Sequence, residues 1–188
     1  MLLFLLVSCI GNPADTGTIV DSGGGEDTPE VDDPIFDIDP ESLPQGAQPC
    51  RAPILAEVEY TIDGDTIHVL TDQGSDRIRL IGVNAPEVGW DGDASECYGD
   101  ESAVFVESHL EGRWIWLTFD QNCEDAYERA LAYVHTAADD QGFFQRNLLQ
   151  GGYAQSYSWE GTDTFSELFS QDESIAQNSN AGLWGACN

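Results

Sequence analysis

The chain has no lysine. Its 188 residues carry six basic side chains, all arginine, against 35 acidic ones, for a net charge of −29 at pH 7. A protein that coats nucleic acid generally needs a basic footprint, and this one lacks it. Without lysine no Walker phosphate loop can be built, so Gly23-Gly24-Gly25 is only a glycine run. No C-x-x-C pair occurs, which weakens zinc-ribbon and dithiol redox readings. No G-x-S-x-G elbow is present. The apolar start, residues 2–7, is far shorter than the roughly 20 residues that span a bilayer. His68, His109 and His135 are scattered without metal-ligand spacing. Asp91-Gly92-Asp93 opens like an EF-hand loop, but Glu96 stands where the sixth-position glycine is required.

The acidity is not confined to one tail. Residues 1–49 hold ten acids and no base; residues 50–188 hold the other 25 acids and all six arginines, a net of −19. Such a surface repels polyanions least in brine, since the screening length falls from about 10 Å at 0.1 M salt to about 3 Å at 1 M. The composition therefore fits a saline setting, and it leaves room for an enzyme whose few arginines are placed locally.

Leu6-Val7-Ser8-Cys9 resembles a bacterial lipobox. Residues 1–8 then read as the remnant of a signal peptide, with lipidation at Cys9, export, and anchoring to a membrane of the cell envelope on its periplasmic or cell-surface face. Residues 9–49, with Pro13, Pro29, Pro34, Pro40 and Pro44 among ten acids, read as a disordered acidic linker that cannot bury enough apolar surface to offset its ordering entropy. The folded domain is predicted over 50–188. With Cys9 lipidated, Cys50, Cys97, Cys123 and Cys187 remain, and four cysteines allow three pairings. Cys50 and Cys187 bracket the domain, and domain ends often lie close together. That favours Cys50–Cys187 with Cys97–Cys123.

From Cys50 onward the pattern is regular. Strands are predicted over 54–62, 66–71, 77–83, 113–119 and 129–136, with helices over 100–111, 143–150 and 164–180. Five short strands with a helix inserted after the third suggest a small closed barrel. His68, between Ile67 and Val69, is predicted to face outward.

The chemistry concentrates in three segments. Asp63-Gly64 is first of all a favoured turn, but Asp65 adds a carboxylate that a turn does not require. Asn84, Ala85 and Glu87 follow the third strand. Carboxylates, amide oxygens and carbonyls are the ligands that hard cations take. Arg79 lies mid-strand among apolar residues and needs a carboxylate or a phosphate as partner. Arg129 heads a strand beside Asp125 and Tyr127. Trp90, in the loop after Glu87, is read as packing, with base stacking as the alternative.

Taken together, Asp63-Gly64-Asp65-Thr66, the strand from Arg79 to Pro86-Glu87, and Asp125-Ala126-Tyr127-Glu128-Arg129 resemble the thermonuclease (staphylococcal nuclease-like) family. Cys97-Tyr98-Gly99-Asp100-Glu101-Ser102-Ala103, Leu131-Ala132-Tyr133-Val134, Gly152-Tyr153-Ala154 and Gly182-Leu183-Trp184 extend the likeness over about 54–184. The resemblance implies an α+β fold: a five-stranded OB-fold barrel with three helices. It implies calcium-dependent cleavage of DNA and RNA by a monomer with no protein partner. Carried over by position, Asp65, Asn84 and the Ala85 carbonyl would ligate Ca2+. Glu87 would orient or deprotonate the attacking water. Arg79 and Arg129 would bind the scissile phosphate, Asp63 would support the metal shell, and Tyr127 would contact the substrate. Three departures stand out. Asn84 replaces the family's usual aspartate and removes a charge. Glu128 replaces a glycine. The family's best-known members are basic. The rival expectation is a non-catalytic OB module on the cell surface.

Overall fold

A computed structural model describes residues 33–159 and 161–187. Five strands close into a barrel in the order β1-β2-β3-β6-β5, where β1 is Ile54–Thr61, β2 Thr66–Thr71, β3 Gly74–Leu80, β5 Trp114–Thr118 and β6 Ala130–His135. All pairings are antiparallel except β3 with β6. Period-2 alternation explains the inner face: Ala56 and Val58 on β1, Ile67 and Val69 on β2, and Ile78 and Leu80 on β3 are buried, while Glu59, His68 and Arg77 lie on the outside. Closure removes the sheet edges that would otherwise invite pairing with another chain.

Three helices cover the barrel, as predicted: α1 (Gly99–Leu110), α2 (Phe144–Gly151) and α3 (Ser166–Ser179). Val106 and Leu110 of α1, Leu148 and Leu149 of α2, and Phe169 and Ala176 of α3 are buried. A short α4 (Leu183–Ala186) follows. The third strand stops at Leu80 instead of 83, because Gly82 takes φ +83° and turns the chain. Val83–Asn84 then forms β4, which pairs with Gln155–Ser156, β7, in a second two-stranded sheet. Alternation breaks there: Ile81 is fully buried with Leu80.

Two sequence readings are corrected. The disulfides are Cys50–Cys123 and Cys97–Cys187, each with Cα atoms 5.7 Å apart. Neither Cys50–Cys187 nor Cys97–Cys123 forms, because the two ends of the domain are held at different places. The Gly46 N–H donates to the Phe119 carbonyl and the Cys50 N–H to Asp120, which sets Cys50 beside the loop carrying Cys123. The C-terminal turn instead reaches the start of α1. With 73 and 90 residues between the bonded cysteines, loop-entropy arithmetic gives each bridge about 4–5 kcal/mol.

The packed unit begins at Asp33 rather than Cys50. Pro34–Asp37 and Pro40–Ser42 form 3-10 turns, with Asp33 and Asp39 accepting from the Ile35 and Glu41 N–H groups. Asp before Pro is a strong turn-start signal. Ile35 and Leu43 are buried, and Trp116 Nε1 donates to the Ile35 carbonyl. The tether reading remains with residues 9–32; these, residues 1–8 and the lipidation of Cys9 lie outside the described residues.

His135 clamps this arm. The Pro44 carbonyl accepts from Thr118 Oγ1 at 2.7 Å and from His135 Nε2 at 3.1 Å, which places the neutral imidazole's proton on Nε2. Nδ1 is buried and without a partner among the described residues. Protonating it would bury an uncompensated charge. Burial accordingly pushes the His135 pKa down, against the Pro44 bond, from 6.5 to about 4. A folded pKa below the unfolded one means stability that is present above about pH 6.5 and lost as pH falls toward 4. Wild type is expected to lose on the order of 3 kcal/mol more than His135→Gln between pH 7 and pH 4. Urea unfolding of both proteins at the two pH values checks this; equal losses would remove His135 as the cause.

Candidate active site

Three strand ends converge. Thr66 at the head of β2 pairs with Arg79 near the end of β3, and Arg79 pairs with Leu131 near the head of β6. The Asp63-Gly64-Asp65 turn is drawn in tightly: the Asp65 N–H donates to Asp63 Oδ1 at 2.9 Å. Gly64 does not occupy the left-handed region that hairpin glycines often need. It is a glycine because a Cβ there would run into the side chains of Ser102 on α1 and Ala85.

Asp65 is 5% exposed. Its Oδ1 is ion-paired with Arg79 Nε at 3.0 Å and accepts from Thr66 Oγ1 at 3.1 Å; its Oδ2 accepts from the Ala85 N–H at 2.8 Å. Burial pushes the Asp65 carboxyl up to about 6, with Asp63 adding to the rise, although Arg79 and the two hydrogen bonds pull it down. Arg79 is equally enclosed. Its Nη1 donates to the Leu80 and Val83 carbonyls at 2.7 and 2.8 Å, and its Nη2 to Asn84 Oδ1 at 3.2 Å. Burial lowers the Arg79 pKa and the neighbouring Arg129 adds to this; Asp65, Asp63 and Glu87 oppose it. Arg129 comes within 3.4 Å of Thr66, the cross-strand partner of Arg79; Asp63 accepts from the Asp65 N–H; and Glu87 follows three residues after Asn84, which binds Arg79.

Arg129 is more open. Nε donates to Asp125 Oδ2 at 2.7 Å, and Nη1 makes a long contact to Thr66 Oγ1 at 3.4 Å. Burial pushes the Asp125 carboxyl up, but hydrogen bonds from the Arg129 and Tyr127 N–H groups and from the Arg129 side chain outweigh it and hold the pKa below the usual range. The Arg129 guanidinium lies 5.6 Å from the centre of the Tyr127 ring, which is 73% exposed. Glu128 adopts φ +60°. That conformation costs a non-glycine residue about 1–2 kcal/mol, which explains why a glycine suits the position.

Glu87 is exposed, but its backbone is not loose. Its N–H donates to Glu96 Oε2 at 3.1 Å, and the Glu96 N–H donates back to the Glu87 carbonyl at 2.9 Å. Cys97, the next residue, is bonded to Cys187. Glu96, Thr66 and Asp125 thus join the predicted set. Thr66 and Asp125 stood within the motifs; Glu96 carried no signal. Trp90 is exposed rather than packed. A groove of about 800 Å³, lined by Leu55, Leu70, Trp114 and Trp116, lies at the other end of β2.

Among the described residues no three of His, Cys, Asp and Glu come together as a metal-holding group. The donors nonetheless suit a hard cation by type: the Asp65 carboxylate, the Asn84 amide oxygen and the Ala85 carbonyl are all oxygens. The fit rests on this donor chemistry and on position: Asp65 Oδ2 accepts from the Ala85 N–H, which brings the Asp65 carboxylate beside the Asn84-Ala85 backbone.

Residues 77–186 match the family described as staphylococcal nuclease homologue. The chain is 32% identical over 127 residues to the thermonuclease of Staphylococcus intermedius, covering 68% of this chain and 74% of that one. It is 31% identical over 128 residues to the thermonuclease of Staphylococcus hyicus, with the same shares. It is 29% identical over 129 residues to endonuclease YncB of Bacillus subtilis, covering 68% and 60%.

Proposed function

This chain belongs to the staphylococcal nuclease homologue family, and on that footing we propose that it is a calcium-dependent nuclease that hydrolyses DNA and RNA phosphodiester bonds by in-line attack of water. The observation that carries this reading is the grouping of Arg79, the buried Asp65 and Arg129 at one end of the barrel, with Glu87 three residues beyond the Asn84 that binds Arg79. Arg129 offers the scissile phosphate an open guanidinium edge. Arg79 is fixed by four bonds and brings its charge to the same place. Glu87 accepts a proton from water as the water oxygen bonds to phosphorus and the ester P–O bond breaks. Asp65, Asn84 and the Ala85 carbonyl would hold calcium, which supplies electrostatic stabilisation of the phosphoryl oxygens.

Export to the cell envelope with a lipid anchor at Cys9 is part of the proposal. Two disulfides support an oxidising compartment. A non-catalytic OB module is the second reading, and the missing carboxylate at Asn84 is what favours it.

The test is cleavage of single-stranded DNA with millimolar calcium or with chelator, across 0.1–1 M salt. Activity is expected with calcium only. Asn84→Asp restores a carboxylate and is expected to lower the half-saturating calcium concentration about tenfold, equivalent to about 1.4 kcal/mol and well within one added charge at contact distance. Chelator-insensitive cleavage, or none at any salt, overturns the reading.

A further inference from the structure

The outer face of β1, β2 and β3 carries groups that neither the barrel nor the cleavage site uses. A bulge in β1 between Val58 and Tyr60 re-aims its side chains, so that Glu59 and Tyr60 both address His68 on β2. Glu59 Oε2 takes the edge of the ring, 2.9 Å from Nδ1, and also accepts from Ser75 Oγ at 3.2 Å. Tyr60 takes the face: the two rings are stacked with centroids 4.6 Å apart and planes 7° from parallel. Tyr60 is 47% exposed. A flat, edge-braced aromatic pair is therefore presented to solvent.

The next residue across the sheet is Arg77, the cross-strand partner of His68. Its Nη2 donates to the Tyr127 carbonyl at 3.2 Å, which ties it to the loop that carries Arg129. Arg77 and Arg79 are two residues apart on one strand face, roughly 7 Å. Three of the chain's six arginines thus lie in one tract within a folded unit whose residues 50–188 alone carry a net charge of −19. Of the other three, Arg51 donates to Cys123 and Arg146 pairs with Asp172, while Arg113 lies exposed just before β5, away from this tract in sequence. A row of cation and aromatic leading away from a phosphate-binding site is complementary to a nucleic-acid single strand, whose phosphates and bases alternate in the same way.

We propose that this face is a subsite for the single-stranded flank of the substrate. Arg77 holds the phosphate adjacent to the cleaved one, and a base stacks on the Tyr60–His68 pair. The subsite rests on the nuclease reading above. It gives the acidic domain a local path for a polyanion, and Glu59, held by His68 and Ser75, stays at the ring edge rather than over its face.

The experiment compares wild type, Arg77→Ala, Tyr60→Ala and Tyr60→Phe, first checked for equal Tm. Each is assayed on a dinucleotide and on twelve-nucleotide single strands extended only 5′ or only 3′ of one cleavable bond. The ratio of kcat/KM on one extended strand to that on the dinucleotide is expected to fall about tenfold in both alanine variants, and to recover in Tyr60→Phe. For Arg77→Ala the slope of log KM against log salt is expected to drop by about 0.7, the value for one lost phosphate contact on a single strand. Unchanged ratios on both extended strands overturn the subsite while leaving the nuclease intact. If wild type cleaves nothing, the nuclease reading fails, and fluorescence anisotropy of a labelled twelve-nucleotide strand decides the subsite: weaker binding in both alanine variants supports it, and equal binding overturns it.

Discussion

Arg129→Ala is expected to lower kcat by about 10³–10⁵-fold with almost no change in Tm. The size comes from what a guanidinium does in phosphoryl transfer, where it stabilises charge that spreads over the equatorial oxygens as the bond to the leaving group lengthens. The lack of a stability cost comes from geometry. Arg129 holds only Asp125 through one short bond and Thr66 through a long one. Asp125 keeps the Tyr127 and Arg129 backbone N–H groups as donors after truncation. Arg79→Ala makes the informative contrast. Arg79 carries the Asp65 ion pair and the Leu80 and Val83 carbonyls in a buried setting. Removing it leaves a buried carboxylate unpaired, which costs about 3–5 kcal/mol. The two variants are therefore expected to share a loss of rate and to differ in Tm, read by single-turnover cleavage and thermal unfolding on the same samples. Arg129→Ala retaining more than a tenth of the wild-type kcat would remove it from the transition state.

The difference between those two arginines was only partly legible in the sequence. Arg79 announced itself as a charge within an apolar strand that needs a carboxylate or a phosphate as partner; that Asp65 is the carboxylate came from the fold. Arg129 showed only as the head of a strand beside Asp125 and Tyr127, and it is the fold that brings it to Thr66, the cross-strand partner of Arg79. The barrel was legible because β1, β2 and β3 alternate with period 2 over enough residues to carry a signal. The β4–β7 pair was not, since two-residue strands have no periodicity. The disulfide pairing failed for a related reason. Position in the chain says which cysteines bracket a domain, whereas pairing depends on which loop lies beside which strand end. The arm before β1 was masked by its acids. Ile35 and Leu43 are too few to register in composition, yet the paired Asp-Pro steps and the waiting His135–Thr118 clamp suffice to seat them.

Glu87→Gln is expected to lower kcat by about 10²–10⁴-fold, the range of a general base, with KM within twofold of wild type. The split follows from the division of labour in the site. On the proposed roles, Arg129 and Arg79 would hold the phosphate in ground and transition states, so substrate affinity would not depend on Glu87. Its carboxylate is exposed, and no hydrogen bond among the described residues engages it; what is fixed is its backbone, through Glu96 on both the N–H and the carbonyl. A carboxylate placed by its backbone and left free at its tip can take a proton from water. Glutamine keeps the shape and cannot. Because Cys97 follows Glu96, cutting the Cys97–Cys187 bridge loosens the same segment, and Cys187→Ser is expected to lower kcat in wild type but to add little to Glu87→Gln. A purely structural role for Glu87 predicts the opposite pattern: additive losses in the double variant, with KM rising in step.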